Sequence, residues 1–186
     1  MYTNEIKNYI NKEIDILKRL DVEAINAVMT AIVEAYYAGA NIYIFGNGGS
    51  ASTASHFQND FNKGLSENLE KKFNFVCLND NIATVMAVAN DLGYENIFEY
   101  QLKNRLKNND LVIAISGSGN SPNVVKAIEY ANSQNIKTIG VTGYDGGKLA
   151  KMVDISFNVP IHDMQITEDI HMILDHLMMS VLMNKL

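Results

Sequence analysis

The sequence predicts an α/β protein: a three-layer αβα sandwich whose five-stranded, mostly parallel sheet follows a long helical N-terminal lead-in. Three observations carry that expectation. Five short apolar runs alternate with segments of helical spacing, the order that yields a parallel sheet covered on both faces. Two of those runs end in Gly- and Ser-rich loops that pass directly into a helical segment. Nearly forty residues of helical periodicity precede the first run.

Composition bounds the answer. With 186 residues, 47% hydrophobic content and two prolines, the chain can fold as one domain, 1–186, with a sizeable core. A net charge of -6 and dispersed Lys and Arg residues argue against nucleic acid as a partner. The single cysteine, Cys77, cannot form an internal disulfide, and the start MYTNEIKNYI lacks the basic-then-apolar form of a signal peptide. No apolar run approaches the roughly 18 residues of a membrane span. The expectation is a soluble cytoplasmic protein with no membrane partner.

In chain order, Ile6, Ile10, Ile14, Leu17 and Leu20, then Ile25, Val28, Met29, Ile32, Val33 and Tyr36, keep helical spacing and predict two helices over residues 1–40. That is more helix than a cap requires, and packing against another copy of the chain is its expected further role. Ile42 to Phe45 reads as a buried strand that stops at Gly46-Asn47-Gly48-Gly49-Ser50, where a helix begins. A loop through Lys72 leads to a second strand, Phe73 to Leu78, ended by Asn79-Asp80-Asn81. Residues 82–89 are short and mixed, and Ile97, Tyr100, Leu102 and Leu106 suggest a helix running to Asn108. Leu111 to Ile115 is the third strand, followed by Ser116-Gly117-Ser118-Gly119-Asn120-Ser121-Pro122 and a helix over 123–133 with Pro122 in its first turn. Strands over 137–142 and 155–159 flank a turn and short helix, and a final helix capped by Thr167 runs to the C-terminus.

The chemistry concentrates in the two polar loops. A strand, tight turn and helix start aim unpaired backbone N–H groups at one point, where the helix dipole favours an anion. The first loop offers those amides with Gly48 and Ser50; the second adds the Ser116, Ser118 and Ser121 hydroxyls. Such groups hold a phosphate without Lys or Arg, which suits an acidic protein. In open parallel sheets ligands sit beyond the carboxyl ends of the strands, where both loops lie. Six residues past Ser50 comes His56, then Asp60, spaced i, i+4 and so on one helix face.

A competing reading is a dinucleotide site, since residues 46–51 satisfy G-x-G-x-x-[G/A] and Asp80 closes the next strand. Asp80 lies about thirty residues beyond the turn rather than roughly twenty, and the serine-rich second loop has no place in that scheme. No nucleotide cofactor is therefore expected. Neither loop reads G-x-S-x-G, the elbow that exposes a nucleophilic serine.

These motifs together resemble the sugar isomerase (SIS) domain family, and within it the phosphoheptose isomerases. The resemblance is carried by the helical lead-in, GNGGSASTASHF at 46–57, ANDLGYENIF at 89–98, ISGSGNSPNVVKAI at 115–128 and EDIHMILDH at 168–176. It implies a flavodoxin-like SIS fold, homotetramers with sites between subunits, and interconversion of sedoheptulose 7-phosphate and D-glycero-D-manno-heptose 7-phosphate. It implies further that Ser50, Ser116, Ser118 and Ser121 hold the phosphate, with Asn47 and Asp91 near the sugar hydroxyls. His56 and His176 fall on the family's metal-site histidines, and His176 also on its proton-transferring one.

Three places depart from the family pattern. Asp60 stands where the family has a glutamate that acts as base and metal ligand, and Glu168 where it has a glutamine. No arginine follows Asp60, since the chain continues Asn62-Lys63-Gly64. The resulting set of His56, Asp60, Glu168 and His176 suits zinc or another divalent ion, and its carboxylates, Asp60 and Glu168, are alternative bases. Without a metal the two carboxylates repel and one pKa should rise.

Position alone gives plainer readings to several of these groups. Glu168 and Asp169 suit the first turn of a helix through its dipole; His171 and Asp175, i, i+4, read as a helix-surface pair; the methionines of the last helix read as packing. A sugar-phosphate sensor or adaptor on the same fold is the alternative to an isomerase, and predicts binding without turnover.

Overall fold

The computed structural model describes residues 1–186. Five strands form one parallel sheet in the order β2-β1-β3-β4-β5. They are β1 (Ile42–Gly46), β2 (Phe75–Cys77), β3 (Leu111–Ser116), β4 (Lys137–Gly143) and β5 (Ile155–Val159). Every adjacent pair is parallel. The chain leaves β1 to build β2 on one side, then crosses back to build β3 on the other, so strand order reverses between β1 and β3.

Eight α-helices accompany the sheet: α1 (Thr3–Leu17), α2 (Val22–Ala38), α3 (Gly49–Asn59), α4 (Ile82–Leu92), α5 (Glu99–Leu102), α6 (Pro122–Ser133), α7 (Leu149–Met152) and α8 (Met164–Leu182). Alternation along β1 sorts them into two layers, as the period-two geometry of a strand requires. Ile42 and Ile44 pack in one core with α2, α3 and α8. Tyr43 and Phe45 pack in the other with residues of α4, α5, α6 and α7. The αβα sandwich and the helical lead-in are as the sequence predicts.

Four local expectations are corrected. The second ladder segment spans only Phe75–Cys77; Phe73 and Leu78 are buried but lie outside it. Residues 82–92 form a full helix, whose start is fixed by the Asn81 side chain accepting from Thr84 N. The helix expected over 97–108 shrinks to a 3-10 turn at Tyr94–Asn96 and the single turn of α5. Finally, α8 begins at Met164 with Asp163 as its cap, accepting from Ile166 N. Thr167 is instead buried within the helix, its hydroxyl without a partner.

Candidate active site

Both polar loops stand where the topology predicts a ligand, at the carboxyl ends of β1 and β3 on either side of the strand-order reversal. Gly48 takes φ +56°, a conformation that glycine adopts without a side-chain penalty, and this turns the chain from β1 into α3. Asn79 clamps the end of β1: its Nδ2 donates to Gly46 O at 2.9 Å and its Oδ1 accepts from Gly46 N at 3.2 Å. On the other side, Pro122 occupies the first position of α6, where no backbone donor is lost.

Between the loops lies a cavity of about 160 Å³ lined by Asn47, Ser50, Ser116, Ser118 and Ser121 together with Glu168 of α8. Ser116 Oγ and Ser121 Oγ are 3.3 Å apart, so two hydroxyls of one loop face the same space. All four serines expected on the phosphate thus line one pocket. Asp91 does not: it lies exposed in the last turn of α4, accepting from Asn90 Nδ2 at 2.7 Å. Gly48 is exposed at the rim.

Asn47 is held by two residues to which the sequence assigned no role of their own. Its Nδ2 donates to Asn123 Oδ1, and its Oδ1 accepts from Asn123 Nδ2 and from the Tyr94 hydroxyl, each at 2.9 Å. Asn123 follows the N1 proline of a helix, a position that reads as ordinary, and only the folded neighbourhood shows that it fixes an amide at the pocket.

A second cluster lies between α3, with the turn that follows it, and α8. His56, near the end of α3, has its Nε2 3.1 Å from His176 Nε2 of α8 and 3.4 Å from Asp60 Oδ2. Asp60 Oδ2 is 3.8 Å from His176 Nε2, and Asp175 Oδ2 is 3.9 Å from His56 Nε2. One donor atom from each of these four residues lies within 4.8 Å of all the others. The α-helix gives way at Asp60 to a π turn, Asp60–Gly64, a local irregularity frequent at functional sites. The cluster opens on one side to a cleft of about 370 Å³ lined by Asp60, His176, Met179 and Met183.

The composition of this cluster differs from expectation at one place. Glu168 is absent from it and stands in the serine pocket over the start of α3, where a side chain on Gly49 would strike its carboxylate. Asp175 takes the remaining place in the cluster. It is not on the helix surface, nor is His171: the two are 0% and 1% exposed. His171 Nε2 donates to Thr142 O at 3.0 Å, tying α8 to the end of β4, while its Nδ1 has no partner. Burial drives the His171 pKa down to about 4. Burial first, and the Asp60 charge second, push the Asp175 carboxyl up to about 8. The raised carboxyl is thus outside the expected pair of Asp60 and Glu168, and burial rather than repulsion is its larger cause.

A parallel doubly wound sheet with a hydroxyl-lined, phosphate-sized pocket at its reversal point, and an imidazole–carboxylate cluster on the helices that frame it, defines a class of proteins that bind and rearrange phosphorylated small molecules. The chain belongs to the SIS domain family, whose model matches residues 7–143, and within it to the phosphoheptose isomerase branch. It is 32% identical to a phosphoheptose isomerase of Aliarcobacter butzleri over 97% of this chain and 96% of that protein. It is 36% identical to one from Helicobacter pylori over 84% of this chain and 81% of the relative. The solved structure of a phosphoheptose isomerase from Francisella tularensis superposes with a TM-score of 0.90 at 26% identity, covering 98% of each chain.

Proposed function

We propose that this chain is an aldose–ketose isomerase acting on a sugar phosphate, interconverting sedoheptulose 7-phosphate and D-glycero-D-manno-heptose 7-phosphate. The observation that carries the reading is the pairing, on α3 and α8, of a serine-lined pocket with a histidine–carboxylate cluster. Kinship with phosphoheptose isomerases supports the same reaction.

In this reading Ser50, Ser116, Ser118 and Ser121, with the amides at the start of α3, hold the phosphate, and Asn47 and Asp91 orient the sugar hydroxyls. Asp60 or Glu168 takes a proton from C1 of the ketose, leaving an enediolate. His176 moves the hydroxyl proton between O1 and O2, and the carboxyl group returns a proton to C2, which completes the aldose. A donor set of His56, Asp60 and His176 with one further carboxylate fits a divalent ion such as zinc: ligand atoms about 2.0–2.2 Å from a tetrahedral centre lie roughly 3.3 Å from one another, near the 3.1–3.8 Å separations among these three residues. A bound ion would supply positive charge to the oxygen that becomes anionic. A homotetramer with sites between subunits accounts for the cleft beside His176 and for the exposed apolar face of α1. A cytoplasmic enzyme is consistent with the absence of any helix long and apolar enough to cross a membrane.

The test is incubation with sedoheptulose 7-phosphate in deuterated water, with and without added zinc. An isomerase forms the aldose and incorporates solvent deuterium at C2, and His176→Gln loses turnover by at least about 100-fold while retaining phosphate affinity. Binding with neither product nor exchange would overturn the proposal in favour of the sensor. Separate Asp60→Asn and Glu168→Gln variants identify the base as the one whose loss abolishes exchange.

A further inference from the structure

We infer that Asp175, rather than Glu168, completes a divalent-cation site with His56, Asp60 and His176, so that α8 ligates the ion through two consecutive residues. The inference rests on the metal reading above and assigns its fourth ligand.

Four observations lead to it. Asp175 is fully buried, yet neither of its carboxylate oxygens has a hydrogen-bond partner. Such a carboxylate is normally satisfied by a donor or a cation. The only group near it of opposite potential charge is His56, at 3.9 Å, and no Lys or Arg lies within ion-pair distance of Asp175 or Asp60. Two carboxylates and two neutral imidazoles offset a divalent charge without help from such a residue.

The second observation is convergence. The two Nε2 atoms approach to 3.1 Å with their rings edge to face, and a carboxylate oxygen from each helix lies beside them. Two neutral imidazoles can share only one hydrogen bond in that pose, whereas a cation between them accepts both lone pairs. Third, the backbone supports the arrangement. Asp60 opens a π turn directly after the helix that carries His56, and His171, one turn before Asp175, anchors α8 to β4 through Thr142 O. Fourth, Glu168 is occupied elsewhere, lying over Gly49 and lining the serine pocket. It precedes Asp175 by seven residues, about 10 Å along the helix at 1.5 Å per residue.

The experiment is metal binding by the full-length protein, with competition titration for Zn²⁺ affinity and the visible spectrum of the Co²⁺-substituted protein as readouts. Wild-type protein is expected to take up about one Zn²⁺ per chain. Asp175→Asn should weaken that affinity by at least about ten-fold, and Glu168→Gln should leave it within about two-fold. Asp175→Cys provides a direct reading that does not depend on a loss of binding: a residue that touches the ion will give the intense thiolate-to-cobalt charge-transfer band absent from wild type. Wild-type uptake with no loss in Asp175→Asn, a loss in Glu168→Gln and no thiolate band would overturn this assignment and leave the metal reading standing. Failure of wild-type protein to take up Zn²⁺ would overturn both. Neither outcome bears on deuterium exchange from sedoheptulose 7-phosphate, so the isomerase reading stands or falls separately.

Discussion

Asp175 and His171 sit one turn apart, and burial moves their pKa values in opposite senses, to about 8 and about 4 from 3.8 and 6.5. The folded state therefore binds the Asp175 proton more tightly than the unfolded chain does. That contribution to stability is complete below about pH 4 and is lost as pH rises through about 8. His171 behaves oppositely: its contribution is present above about pH 6.5 and is lost as pH falls towards 4. The two oppose each other over the lower range, and Asp175 acts alone above it. In chelator-treated protein at fixed concentration, urea denaturation should show stability falling between pH 6.5 and 8 by on the order of 2 kcal/mol. Asp175→Asn should remove that slope, and an equal slope in the variant would refute the assignment. Neither residue's burial was legible in the sequence. An i, i+4 pair fixes a helix face but not which way the face points. Here the packed stripe of α8 is wide: Ile166, Ile170, Leu174 and Met178 carry Thr167, His171 and Asp175 inward beside them. That doublet pattern was the available signal, and the polarity of its second row concealed it.

At the scale of elements, helix starts decided most of what sequence reading recovered and most of what it missed. The loops after β1 and β3 were legible because glycine and serine clusters cut off strongly apolar runs. The helix α4 was not, because IATVMAVANDL is apolar on too many sides for its periodicity to separate helix from strand. Its cap, Asn81, was the better evidence. The start of α8 was misplaced for a related reason: Thr167 and Asp163 are both acceptable caps by residue type, and Asp163 alone also pairs with Lys12 of α1. Replacing Asp163 with Ala should cost about 1–2 kcal/mol in urea denaturation, from the lost cap and the weakened α1–α8 clasp. Thr167→Val, which removes a buried hydroxyl with no partner, should be neutral or stabilising. The reverse ranking would mean that α8 starts where sequence alone put it.

For the molecule as a whole, the two N-terminal helices do not use their surfaces alike. Residues of α2 such as Ile25, Val28 and Ile32 enter the core, whereas α1 contributes only Ile16 and leaves Ile6, Ile10 and Ile14 exposed at helical spacing. A stripe of this kind on the outermost helix is what a face shared with another copy requires. If the proposed tetramer forms through this face, Ile6→Glu combined with Ile10→Glu should lower the mass measured by light scattering, with the circular dichroism spectrum unchanged. A monomeric wild type would dispose of the assembly reading.

The unpartnered carboxylate at position 175 has a consequence for how this protein would change under selection. Nothing in the core rewards a carboxylate there, and a leucine or isoleucine of similar reach would remove a desolvated acid and fill the space with hydrocarbon. Laboratory evolution that screened variants for heat resistance alone would therefore discard Asp175 early. A screen that also demanded function would keep it, so the tension between durability and activity in this chain is concentrated at a single side chain of α8.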